Sequence, residues 1–181
     1  MPTYVALLRG VNVGGARRVP MSDLRRLLSE LGFSGVATLL NSGNAVFSAP
    51  GASCSMHAAA IAEAIRRALA LRVPVVVKSA RELAAIVVEN PLASSVAAPS
   101  RMLVAFAADQ ASLARLADLS ALVVAPEEFH LGKRAAYLHC PAGILQSRLG
   151  EALLGRAGLG VTTRNWATVL KLHALASKGD A

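Results

Sequence analysis

The apolar positions of the chain fall into short unbroken runs and helically spaced sets, and their alternation predicts the fold. Tyr4–Leu8 is a continuous apolar run that ends at Arg9-Gly10, the pattern of a short buried strand. Leu24, Leu27, Leu28 and Leu31 then recur at helical spacing, with Gly32 in the position that closes a helix. Val36–Leu40 and Ala45–Ser48 read as two strands joined by Asn41-Ser42-Gly43-Asn44. Asn and Gly there supply the positive φ angles of a tight hairpin. Ile61, Ile65, Ala68 and Leu69 share one face of a second helix over 56–71. Val73–Lys78 is a further strand, and Pro74 puts it at a sheet edge or marks its beginning. The order is β-α-β-β-α-β, the ferredoxin-like unit. Ser79 and Glu82 form a capping box for a third helix, which runs to Glu89 before Asn90-Pro91 stops it.

Leu92–Ser100, directly after Pro91, carries Pro99 and three serines and is the expected boundary, giving subdomains at 1–90 and 101–181 with a linker at 91–100. Beyond it Met102–Ala107 reads as a strand and Ala111–Leu119 as a helix. Leu122–Ala125, Glu128–Leu131 and Ala135–His139 read as strands, Ile144–Leu154 as a helix and Arg164–Ala176 as the final helix. The halves share an order of elements and no visible sequence likeness. By this reading the second half has an extra hairpin, and ends in a helix where a strand would be expected. The expected fold class is therefore α+β, with two small subdomains: the first ferredoxin-like, the second a related α+β unit ending in a helix.

Composition narrows the class. With 181 residues, 54% hydrophobic and 17% charged, the chain can bury a real core and is not a disordered one. Its densest apolar stretches, 73–77 and 83–88, are far too short to span a bilayer. Met1-Pro2-Thr3-Tyr4 lacks the pattern of a signal peptide, so no membrane association and a cytoplasmic location are expected. Cys54 and Cys140 are the only cysteines, which fits a reducing compartment. The net charge of +8 favours an anionic partner. The basic residues are dispersed, however, and arginine's excess over lysine, with abundant alanine, is a pairing that coding bias produces.

Three stretches carry candidate chemistry. In Arg9-Gly-Val-Asn-Val-Gly-Gly15 the glycines stand at Gly10, Gly14 and Gly15, which fails the dinucleotide fingerprint. Gly10 and Gly15 have P-loop separation, but Ala16-Arg17 replaces the Lys-Ser/Thr pair, so no hydroxyl is available for magnesium. What remains is a strand-to-helix nest for an anion with Arg9, Arg17 and Arg18 nearby, or a turn whose glycines serve tight packing. In TTRNWATVLK, Thr162 or Thr163 caps the final helix and puts Arg164, Asn165 and Trp166 in its first turn. Arginine is disfavoured there by the helix dipole and answers to a group outside the helix. Trp166 also suits a packing anchor. In NSGN the side chains of Ser42 and Asn44 could bond a ligand, although a hairpin requires such residues anyway. The four histidines show no ligand spacing, so no metal is expected and no cofactor is evident. No catalytic arrangement can be read, which leaves open whether the protein is an enzyme.

The runs ALLRGVNVGG (6–15), NSGNAVF (41–47) and TTRNWATVLKL (162–172) together resemble a bacterial family of unknown function, DUF family 1697. The likeness extends over nearly the whole chain, with one departure: Asn41 stands where a glutamine is expected. The resemblance implies a two-part α+β fold with a ferredoxin-like first half. It stresses Arg9, Gly10, Asn12, Gly14 and Gly15, then Ser42, Gly43 and Asn44, then Thr162, Thr163, Arg164, Asn165 and Trp166. It implies no substrate and no reaction.

Three functions compete. The first is a binding module or enzyme for a small phosphate- or carboxylate-bearing ligand, held by loop 9–15 with Arg9, Arg164 and Asn165 as a clamp. The second is a nucleic-acid binder using the basic surface, with Tyr4 and Phe47 as sheet aromatics. The third is a structural or oligomerisation module with no ligand.

Overall fold

Two four-stranded antiparallel sheets, each backed by helices, make up the computed structural model, which describes residues 1–15, 17–94, 98–155 and 158–178. Grouped by contacts, the chain forms two units: Met1–Leu83 with the residues from Leu172 onward, and Ala84–Lys171. The boundaries thus fall inside helices, whereas composition marks 91–100; residues 95–97 of that stretch lie outside the described residues.

The first unit contains β1 (Thr3–Leu8), α1 (Met21–Glu30), β2 (Ser34–Leu39), β3 (Asn44–Ser48), α2 (Cys54–Leu69) and β4 (Val75–Ser79). Its sheet order is β2-β3-β1-β4, the ferredoxin-like arrangement read from the sequence. β4 is an edge strand that begins just after Pro74, so the missing N–H falls outside the ladder. Tyr4, Ala6, Leu8, Ala45 and Phe47 from the sheet pack with Leu24, Leu27 and Leu28 of α1 and Ile61 and Ile65 of α2. The helical spacing of those leucines is what turns one face of α1 onto the sheet. Burying each such side chain contributes about 1.5–3 kcal/mol, enough to hold helices of modest length. The expected capping box is present at the start of α3 (Ala80–Glu89): the Ser79 N–H donates to Glu82 Oε2 at 2.9 Å, and the Glu82 N–H donates to Ser79 Oγ at 3.2 Å.

The second unit contains β5 (Met102–Ala107), α4 (Gln110–Ala114), β6 (Glu128–Leu131), β7 (Ala135–His139), α5 (Arg148–Leu154) and β8 (Val161–Asn165); α6 (Trp166–Ser177) follows β8. Its sheet order, β6-β7-β5-β8, matches that of the first unit position for position. Three expectations are corrected here. Leu122–Ala125 is not a strand: a 3₁₀ turn runs from Arg115 to Leu122, and the backbone turns through 125–126 before β6. The hairpin β6–β7 is therefore the counterpart of β2–β3 and not an addition. The region 144–154 is a short 3₁₀ turn followed by α5, with Ser147 Oγ accepting from the Gly150 N–H at 3.0 Å. Most consequential, Val161–Asn165 is not a helix cap but β8, paired antiparallel to β5 from Leu103↔Asn165 to Ala107↔Val161. The second unit thus has its fourth strand, and α6 comes after it. Thr162 and Thr163 cap nothing; Asn165 Oδ1 does, accepting from the Thr168 N–H at 2.9 Å.

Candidate functional site

The connection from β1 to α1 is anchored in the core at both ends and bare in the middle. Val11 and Val19 are buried in the first unit, whereas Val13 is 71% exposed. Between them the chain doubles back, and one side chain holds it closed. Asn12 Oδ1 accepts from the Val19 N–H at 2.9 Å, and Asn12 Nδ2 donates to Val19 O at 2.9 Å, an amide pair that imitates one rung of an antiparallel ladder. The Asn12 N–H also donates to Arg17 O at 3.2 Å. Asn12 Nδ2 further donates to Asn41 O at 2.6 Å, which ties the loop to the β2–β3 turn. Asn12 has φ 57°, a left-handed conformation that asparagine tolerates. Its side-chain amide is thus committed to the loop, a role its place between glycines did not reveal.

The glycines divide by surroundings. Gly10, Gly14 and Gly15 have φ of 64°, 62° and 79°. A Cβ on Gly14 or Gly15 would meet nothing within 4 Å. Tight packing is therefore not their reason, and that reading is corrected: they serve backbone conformation on an open surface. Gly43 is the opposite case. Its φ is 75°, and a Cβ there would lie 2.6 Å from Leu8 Cβ and 2.7 Å from Val11 Cγ2. The positive angles of the β2–β3 turn fall on Leu40 and Gly43 and not on an asparagine. Asn44 is wholly buried, with Nδ2 donating to Leu39 O and to the Oγ of the exposed Ser42, so Asn44 faces inward and the two side chains close the turn.

Beside the Asn12 staple lies a hollow of about 450 Å³, lined by Asn12, Gly15, Arg18, Val19, Pro20, Met21 and Asn41. This is large enough for a small metabolite. The described lining holds one cation, two amides and an apolar floor, and no acid, imidazole or thiol. Pro20 starts α1 without a side-chain cap on its first turn, and Pro20 and Met21, at the positive end of the helix, line the same space. Asp23, also in that first turn, partly offsets that polarity. Arg9 lies half-buried at the base of the loop, its N–H donating to Pro74 O at 2.9 Å. Burial lowers the pKa of its guanidinium, and the charge of Arg17 lowers it further.

The 162–166 motif belongs to the second unit. Thr162 and Trp166 are buried at 3% and 6% exposure, so Trp166 is a packing residue. Arg164 Nη1 donates to Thr162 Oγ1 at 2.9 Å and to Thr163 O at 2.7 Å. Burial pushes the Arg164 pKa down to about 10, which still leaves it cationic at neutral pH. Of the sequence candidates, the structure joins Asn12, Gly15 and the Asn41 turn around one hollow. Arg18, one of the arginines the sequence placed beside the nest, completes it with Pro20 and Met21, to which the strand-loop-helix order was the one pointer. Among the described residues, no group of three or more His, Cys, Asp or Glu is placed to hold a metal ion, and no helix is long and apolar enough to cross a membrane.

A family model described as "Protein of unknown function (DUF1697)" matches residues 1–137, which include RGVNVGG and NSGN and stop short of β8. No curated protein matches the chain. Among solved structures, that of a conserved bacterial protein from Streptococcus pneumoniae is similar with a TM-score of 0.74 and 23% identity, covering 97% of this chain and 98% of that one. A likeness at that identity speaks for the fold.

Proposed function

Since the chain belongs to the DUF1697 family of proteins of unknown function, its activity must be read from its own chemistry, and we propose that the hollow beside the Gly-rich loop binds a small anionic molecule. One observation carries this reading. The two units share one topology, so each serves as the other's reference for what the fold needs. In the second, β5 connects to α4 through Ala108 and Asp109 alone, with Asp109 Oδ1 capping the Ser112 N–H at 2.7 Å. In the first, the equivalent connection runs from Arg9 to Pro20. It carries the bare glycines, two exposed arginines and an uncapped helix start. Val11 and Val19 tie its ends into the core, whereas Val13, Gly14, Gly15, Arg17 and Arg18 are exposed, and that exposed composition suits an anion.

The reading is that of a binding function, because the hollow's described lining offers hydrogen bonds and charge but no nucleophile or general base. Thermal unfolding with and without inorganic phosphate tests it. Phosphate at many times its Kd should stabilise the protein by a few kcal/mol and raise Tm by several degrees, and Arg18→Gln should abolish most of that rise. An equal rise in both proteins, or none in either, contradicts the proposal.

The net charge of +8 also favours a nucleic-acid reading. Its stacking platform does not support it: Tyr4 and Phe47 are 5% and 0% exposed, and stack on each other with centroids 5.7 Å apart.

A further inference from the structure

The polar groups that line the hollow divide into those already bonded within the protein and those that are not. Asn12 commits its side-chain amide to three bonds: Oδ1 accepts from the Val19 N–H at 2.9 Å, and Nδ2 donates to Val19 O at 2.9 Å and to Asn41 O at 2.6 Å. The same bonds satisfy the Val19 N–H and the carbonyl oxygens of Val19 and Asn41. Two polar side chains of the lining are left over. Among the described residues, neither the Arg18 guanidinium nor the Asn41 carboxamide has a hydrogen-bond or ion-pair partner. The turn that carries Asn41 is nevertheless held at three points. Leu39 O accepts from Asn44 Nδ2 at 3.0 Å, Asn41 O from Asn12, and Gly43 O from the Leu8 N–H at 2.8 Å. A carboxamide on so pinned a backbone has little main-chain freedom left to lose on binding.

The open groups define their complement. A guanidinium only donates, in a fork that fits phosphate oxygens. A carboxamide sets a donor beside an acceptor, the pattern that the edge of a nucleobase returns. Met21, which lines the hollow with Pro20, brings a thioether that favours contact with an aromatic ring. A bare anion answers Arg18 alone, in a space of about 450 Å³ that is far larger than it needs. We propose that the hollow takes a nucleoside monophosphate, with its phosphate on Arg18, the edge of its base on Asn41 and the ring against Pro20 and Met21. This rests on the reading of the hollow as an anion site and names the class of molecule that carries the charge.

Isothermal calorimetry at fixed ionic strength on the full-length protein, with ribose monophosphate, adenosine monophosphate and uridine monophosphate as probes, tests it. At least one of the two nucleotides should bind about tenfold or more tightly than ribose monophosphate, since only a nucleotide reaches Asn41 and the apolar floor. Asn41→Ala keeps the backbone carbonyl that Asn12 holds. It should remove most of that preference and leave the affinity for ribose monophosphate within about twofold. Arg18→Gln should weaken all three probes by about tenfold. Ligand-free thermal unfolding of each variant controls for folding, and the comparison of probes on the native protein needs no variant. Nucleotides that bind no better than ribose monophosphate, or a preference that survives Asn41→Ala, overturn the nucleotide assignment and leave the anion site standing. Binding of none of the probes overturns both.

Discussion

Gly43 and Gly15 share a backbone handedness, with φ of 75° and 79°, and differ in everything around them. At Gly43 a methyl group would run into Leu8 and Val11, so Gly43→Ala should destabilise the protein by roughly 2–4 kcal/mol from overlap and backbone strain together. At Gly15 there is open space, and Gly15→Ala should cost only about 1 kcal/mol, the price of the left-handed conformation. Urea unfolding of the two variants checks the contrast, and equal losses would contradict the division into packing and conformational glycines. His57 gives a second residue-scale prediction. It is 6% exposed, its Nε2 is buried with no partner among the described residues, and the rings of Tyr4, Phe33 and Phe47 lie within 4.5, 5.3 and 5.9 Å of its own. Burial holds its pKa below the ordinary imidazole value, against the opposing effect of a hydrogen bond to the Pro50 backbone. The fold therefore binds the neutral ring. The stability this contributes is complete above about pH 6.5, the unfolded value, and is lost as pH falls below it toward the lower folded pKa. Unfolding free energies at pH 7.5 and pH 5 should show that loss in the native protein and a smaller one in His57→Leu.

At the scale of elements, what was legible in the sequence was what local pattern controls. Leucine spacing gave α1, the Ser79–Glu82 pair gave the start of α3, and Pro74 marked β4 as an edge strand. The one strand missed, β8, is stabilised by pairing with β5, more than fifty residues away in sequence. Its Thr-Thr-Arg-Asn run is equally suited to capping a helix, so local chemistry alone could not choose between them. The β1–α1 loop allows a prediction at this scale. Replacing residues 13–18 by two glycines keeps Asn12 and Val19 and brings the connection nearer to its short counterpart in the second unit. Folding free energy should change by no more than about 1 kcal/mol, because loop closure depends only weakly on length, while phosphate-induced stabilisation should vanish. A variant that unfolds would show the loop to be part of the scaffold.

At the scale of the whole molecule, the informative fact is the repeat of one topology without visible sequence likeness. Sequence reading recovered a shared order of elements and stopped there, because the second unit's turns and helix starts use different residues. With β8 in place the two sheets match strand for strand, and the long β1–α1 connection stands out as the part that one unit has and the other does without. The glycines and arginines of that loop were legible in the sequence as a strand-to-helix connection. The staple at Asn12 was not, since its partners Val19 and Asn41 lie 7 and 29 residues away. The net charge of +8 sets a competing expectation at this scale, diffuse binding of anions over a basic surface. Amide chemical shifts during a titration with inorganic phosphate separate the two most directly. A specific site predicts saturable changes concentrated at Gly14, Gly15, Val19, Met21 and Asn41. Changes scattered over the basic surface, growing linearly without saturation, would contradict it.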